Sequence, residues 1–367
     1  MNSSEARISD QLRGRRIPDA LIRDLPKTDL LFHLDGSLRL ETFMELGRDA
    51  GLDMPEIPAE ARQKYFSTWD EGRRHHFTGF FDHTVGVLQT ASSLTRVARE
   101  AAEDAAACGC WYLEVRFCPL RHLSGDLDVD GAVAAVIEGL TAAEHSRGPR
   151  WGVILTGLRT IAPSSSLELA ELAVRWRHRG VVAFDLAGEE RDYPAKDHRE
   201  AFYHLMNNNF ASTIHAGENF GPESIHQALH YCGANRIGHG TRLHEDEDLM
   251  AWVNDRRIPV ELAISSNVIT GVVTSAGAHP LRRYMSLGLR VSLNTDNTLF
   301  ADTDQYRELR RATDIFDLTL TEVENLLLNG FKSAFLPQDE KATLTADAVA
   351  RIQELRDQHG LDDLEIA

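Results

Sequence analysis

Two rhythms of apolar and polar residues alternate along this chain. Short apolar runs at residues 28–34, 111–118, 151–158, 181–186, 210–215, 236–240, 259–264 and 290–294 read as strands. Residues 111–118 alternate most clearly and are stopped by Pro119. Between these runs lie stretches of helical period at 38–52, 92–107, 129–146, 167–179, 196–208, 222–231, 245–255 and 280–287. Helices from residue 303 onward finish the chain, the last over about 345–359. Residues 59–89 are mixed. Their aromatic part, 75–81, carries Phe77, Phe80 and Phe81 and fits either a lid over a pocket or a packing helix.

Eight short apolar strands, each followed by a helix or helical insert, predict an α/β fold, a closed parallel (β/α)8 barrel with extra helices. An open doubly wound sheet is the alternative, weakened because no Gly-x-Gly-x-x-Gly turn follows any strand. Residues 1–26 read as a charged N-terminal arm and 27–367 as a single catalytic domain without a linker or a solenoid repeat.

Charge narrows the partners. The net charge is -17, from 56 acidic against 39 basic residues, which argues against nucleic acid or an anionic membrane and leaves a small molecule in a pocket. Cys108, Cys110, Cys118 and Cys232 match no zinc spacing and read as reduced thiols. The polar first sixteen residues lack the apolar core of a signal peptide, and no run approaches a membrane span. A cytoplasmic location is expected; the oligomeric state is left open.

In a barrel of this kind the chemistry lies at the C-terminal ends of the strands. His33 ends the first strand and Gly188 follows the fourth. His215 and Glu218 follow the fifth, His239 ends the sixth, and Asp296 follows the eighth. Imidazole nitrogens with a carboxylate oxygen form the ligand set of a catalytic zinc that keeps a position open for water. A lone histidine among the 16 present is ordinarily a surface or satisfied core residue; His75, His76, His83, His226, His230 and His244 are read that way. His215, His239 and Asp296 are read as functional because each stands where this fold builds sites.

The segments His33-Leu34-Asp35-Gly36-Ser37, Asp185-Leu186-Ala187-Gly188-Glu189-Glu190, Ile214-His215-Ala216-Gly217-Glu218, Arg236-Ile237-Gly238-His239-Gly240, Ser265-Ser266-Asn267 and Ser292-Leu293-Asn294-Thr295-Asp296 together resemble the adenosine deaminase family, in the family's order, over about residues 26–335. The resemblance implies a one-zinc barrel that hydrolyses the 6-amino group of adenosine-like purines, whether nucleoside, nucleotide or base. By motif, His33, His215 and Asp296 resemble zinc ligands, and Glu218 the group that protonates purine N1. His239 resembles the residue that orients and helps deprotonate the attacking water. The Gly188 N–H would meet purine N3, and Asp35 the ribose 5′-hydroxyl.

Two positions depart from that pattern. Leu31 stands where the family carries the first histidine of His-x-His, and Asn297 where it carries a second aspartate facing purine N7. Two histidines and a carboxylate remain a zinc ligand set, with weaker binding expected. Asn297 can still donate to N7 from its amide. A purine binder without turnover and a hydrolase with a shifted substrate are the alternatives these departures raise.

Overall fold

The computed structural model describes residues 16–66 and 77–361. Eight strands follow one another around a single sheet: β1 (Lys27–His33), β2 (Cys110–Phe117), β3 (Arg150–Leu158), β4 (Val181–Ala187), β5 (Ala211–Ala216), β6 (Arg236–His239), β7 (Val260–Leu262) and β8 (Val291–Leu293). Every neighbouring pair is parallel. The ring closes just beyond β8, where His33 N–H donates to the Asp296 carbonyl and Asp296 N–H to the Leu31 carbonyl, both at 2.8 Å. This is the expected (β/α)8 barrel, and its closure places residue 296 beside residue 33.

The strands read as apolar because one side of each faces the surrounding helices. Leu30 and Phe32, Val115 and Phe117, Phe184 and Leu186, and Ile214 and Ala216 join a continuous apolar cluster. The other side faces the barrel interior, which is charged. Arg116 of β2 reaches Asp185 of β4 at 3.2 Å and Glu261 of β7 at 3.0 Å. Arg236 of β6 pairs with Glu114 of β2 and with Glu261 at 2.5 Å. Strands that are not neighbours can touch only across the interior, so these buried pairs are the barrel's filling. Each charge is matched there by an opposite one, the condition for burying ions at all.

Helix boundaries follow local chemistry. Thr90 caps Ala91–Ala107 in a reciprocal box with Ser93, and Thr319 caps Leu320–Ser333 with Glu322. Several bounds differ from the sequence reading. The helix expected from 167 begins at Pro163, and the last begins at Gln338 rather than near 345; proline stands at or just before each start. The seventh run is a strand only over Val260–Leu262, and Ile264 opens a helix, Ile264–Ile269. An apolar run reports burial, not conformation.

The mixed region holds two helices, Pro58–Phe66 and Phe77–Val87. Phe81 meets Phe300 edge-on at 4.9 Å between centroids and His33 at 6.1 Å, so this segment packs against the edge of the barrel mouth. His75, His76, the side chain of Phe77 and residues 1–15 of the expected arm lie outside the described residues. Among the described residues no helix is long and apolar enough to cross a membrane. All four cysteines are free thiols.

Candidate active site

The parallel strands deliver their C-terminal ends to one rim, and the residues there converge. His33 Nε2 lies 3.0 Å from His215 Nε2 and 3.4 Å from Asp296 Oδ1. These three are the one cluster among the described residues whose ligand atoms fit a metal ion, all within 4.8 Å of one another. Ligand atoms about 2.1 Å from a tetrahedral centre stand about 3.4 Å apart, close to what these three show. Two imidazole nitrogens at 3.0 Å must also share something between them: one proton, or in its place one cation.

Each ligand is held from behind. His215 Nδ1 is 3.0 Å from Asp185 Oδ2, which leaves Nε2 for the cluster. Burial alone would push Asp185 up, but His215 and Arg116 outweigh it and hold its carboxyl well below the usual range. Asp296 Oδ2 accepts from Ser266 Oγ at 2.5 Å, while Oδ1, the atom facing His33, is buried without a donor. Burial lowers His33 to about 3, so its ring is neutral with a free lone pair. His215 moves the other way: burial opposes its charge, but Asp185 raises it.

Glu218 and His239 adjoin this cluster. His239 Nε2 is 3.7 Å from Glu218 Oε2 and 3.9 Å from Asp296 Oδ2. Glu218 is raised to about 8, first by burial and then by the charges of Asp296 and Glu190, so its carboxyl holds a proton at neutral pH. Burial lowers His239 to about 4, which leaves it neutral. The turn that carries Glu218 is fixed by Glu190, whose carboxylate accepts from the N–H groups of Gly217, Glu218 and Asn219 at 2.7–2.8 Å. Arg159 ties the same strand end, donating to the His215 carbonyl at 2.8 Å.

Two site residues adopt a backbone that side chains rarely take: His239 at φ 60° and Asp296 at φ 64°. Such strain persists only where the surroundings over-determine it, and it clusters at functional sites.

The remaining expected residues lie on the same rim. Gly188 follows β4 at φ 98°, a left-handed turn that a side chain would strain. Asp35 sits in the short turn after β1, pushed up to about 7 by burial, with Oδ1 unpartnered. Asn297 presses so closely on Gly36 that an added Cβ there would stand 1.8 Å from Asn297 Oδ1. Leu31 points inward on the same strand face as His33, fully buried and outside the apolar cluster that takes Leu30 and Phe32. Asp185, Glu190, Ser266 and Asn267 stand within the family motifs, whereas His279 and Arg116 belong to none of them. All are supports that act on the site through hydrogen bonds, a relation invisible in sequence spacing.

The family model for adenosine deaminase matches residues 26–351. The chain is 42% identical over 346 residues to "Adenosine deaminase 1" of Streptomyces coelicolor, covering 89% of this chain and 87% of that one. It is 41% identical to the adenosine deaminase of Mycobacteroides abscessus, over 89% and 95%. Among solved structures it resembles an adenine deaminase from Arthrobacter aurescens, with 25% identity, a TM-score of 0.80, and 89% and 98% covered. It also resembles the Arabidopsis protein ADAL solved with IMP, with 25% identity, a TM-score of 0.81, and 91% and 98% covered.

Proposed function

This chain belongs to the adenosine deaminase family, and on that premise we propose how its barrel mouth works. The protein is an aminohydrolase of adenosine-like purines: water replaces the 6-amino group, giving a 6-oxopurine and ammonia. The observation that carries the proposal is the convergence of Glu218 and His239, 3.7 Å apart, on the His33, His215 and Asp296 cluster.

His33, His215 and Asp296 would hold a divalent cation, for which zinc fits the nitrogen-and-oxygen donor set. When bound there, zinc would supply the Lewis acidity that makes water nucleophilic near neutral pH. The polypeptide does the rest. Glu218 delivers its proton to purine N1, which draws electron density from C6 and opens it to attack. His239, whose Nε2 lies 3.7 Å from Glu218 and 3.9 Å from Asp296, orients the attacking water. The Gly188 N–H meets purine N3, Asp35 takes the sugar's 5′-hydroxyl, and the Asn297 amide faces N7. An amide donates without first needing a proton and also accepts, so the five-membered ring is read less strictly than by a donor alone.

The test combines metal analysis of the purified protein with an ultraviolet screen of 6-aminopurines: adenosine, AMP, adenine and N6-methyl analogues. The expected result is about one divalent metal per chain and loss of the 6-amino group from at least one of these. Metal-loaded protein that turns over none of them refutes deamination and leaves ligand binding as the activity.

A further inference from the structure

An imidazole that accepts a hydrogen bond on one ring nitrogen carries its hydrogen on the other, and so presents either a lone pair or an N–H to the reaction. Which one it presents is decided by what its other nitrogen meets. That other nitrogen of His239, Nδ1, lies 3.1 Å from Asn267 Nδ2. Asn267 is fully buried within the helix Ile264–Ile269. An asparagine amide can face either way in principle, so its orientation must be argued from its partners.

Three contacts agree. Thr241 Oγ1 donates to Asn267 Oδ1 at 2.7 Å. His279 Nε2 stands 3.1 Å from the same oxygen. His279 Nδ1 lies 3.3 Å from the backbone N–H of Leu281, which can only donate. That nitrogen therefore carries no proton. His279 is buried and lowered to about 3, so it is neutral and must carry its one hydrogen on Nε2, pointing at Asn267. With two donors on its oxygen, Asn267 turns its NH2 outward. One hydrogen faces His239 Nδ1, and the same nitrogen stands 3.5 Å from Glu218 Oε1.

The chain of donors starts at a backbone amide and leaves no free choice along its length. Leu281 N–H donates to His279, His279 to Asn267, and Asn267 to His239 Nδ1. We infer that Asn267, aligned by His279 and Thr241, is the positioning residue that locks His239 with its hydrogen on Nε2. His239 then gives a hydrogen bond to the attacking oxygen and cannot receive that water's proton on the nitrogen it presents; the proton passes to the Glu218 carboxylate, vacated when its own proton went to N1 and 3.7 Å from His239 Nε2, and leaves with the ammonia. The second reach of the same amide, toward Glu218, keeps the proton donor in register with the group that orients the nucleophile. This inference rests on the deaminase reading for its consequence, but the tautomer itself does not.

The decisive measurement is nitrogen-15 NMR of the full chain labelled at histidine, with the His239 signals assigned by their loss in H239Q. The expected spectrum shows a pyrrole-type Nε2 and an imine-type Nδ1 for His239 at neutral pH, in metal-free and metal-loaded protein alike. The opposite assignment overturns the inference. N267D supplies the second arm: an isosteric carboxylate can only accept, so it should move the hydrogen to Nδ1 and turn a lone pair toward the attacking oxygen. Losing one preorganised donor typically lowers kcat by 10²–10³, so a fall of roughly 10²-fold is expected, with KM for the purine changed far less. An unchanged kcat, or a KM that rises as steeply as kcat falls, overturns it. If the wild type deaminates no purine, the functional reading fails while the spectrum still decides the tautomer. If N267D does not fold, the wild-type spectrum decides alone.

Discussion

Replacing Leu31 by histidine should convert the site from three protein ligands to four and make stability depend more strongly on metal. Leu31 is fully buried, two residues before His33 on the same face of β1, and its carbonyl accepts the Asp296 N–H at 2.8 Å. An imidazole of similar volume would therefore start from a buried position two residues before His33 on the strand whose end carries that ligand. Without metal it is a buried polar ring lacking a partner, which costs about 1–3 kcal/mol. With metal, changes around such sites alter affinity by about 10–100-fold, so an added ligand should contribute at least about 1.4–2.7 kcal/mol at saturation. Unfolding entropy scales with chain length, and the 367 residues of this chain carry about 0.8 kcal/mol per degree. The variant should melt about 1–4 °C below the wild type in chelator, and its metal-induced gain in Tm should exceed the wild type's by about 2–4 °C. Calorimetric melts of both proteins, in chelator and in zinc, measure this directly, with competition against a chromogenic chelator giving the Kd. Equal metal-induced gains in the two proteins would refute the placement of Leu31 at the metal cluster, whatever the variant does to turnover.

Two further outcomes follow from the same geometry. E218Q should lower kcat by about 10²–10⁴ while purine binding by calorimetry stays close to wild type, because glutamine keeps the shape without the proton. Glu218 is raised from 4.5 to about 8, so wild-type kcat/KM should fall about tenfold per unit once pH passes about 8. The sign for stability agrees: the folded chain keeps a proton that the unfolded chain releases, so this group's contribution declines as pH rises from 4.5 through about 8, and E218Q removes that slope. A profile that stays flat to pH 10 sinks the assignment of Glu218 as the acid. R116M should destabilise the fold by about 3–5 kcal/mol in denaturant titration, because it removes the cation shared by two buried carboxylates and leaves Asp185 to His215 and Glu261 to Arg236 alone; Arg116 bridges Asp185 at 3.2 Å and Glu261 at 3.0 Å. A loss under about 1 kcal/mol would mean that the interior charges are solvated.

The barrel was legible because its strands obey a local rule. Each buries one side against helices, and the alternation in residues such as Val115 and Phe117 against Glu114 and Arg116 records which side that is. The positions of His33, His215, His239 and Asp296 at strand ends were legible for the same reason, since the fold sends those ends to one rim. Boundaries were less legible. Ile264 carries the same hydrophobic signal in a helix as it would in a strand, and only the turn of the chain after Leu262 separates them.

What the sequence determined by itself was the identity and order of the chemical groups, including the leucine at 31 and the asparagine at 297. What only the tertiary structure decided was how those groups are charged and which way they face. Glu218 holds a proton because burial and the charges of Asp296 and Glu190 meet at one point, although the three come from different strands. Asp185 stays ionised although it is fully buried, because Arg116 and His215 reach it from β2 and β5. His239 presents a hydrogen rather than a lone pair because of a backbone amide at Leu281, two side chains away. Protonation depends on distances and on exclusion of water. Those distances exist only once closure of the barrel has brought Asp296 against His33.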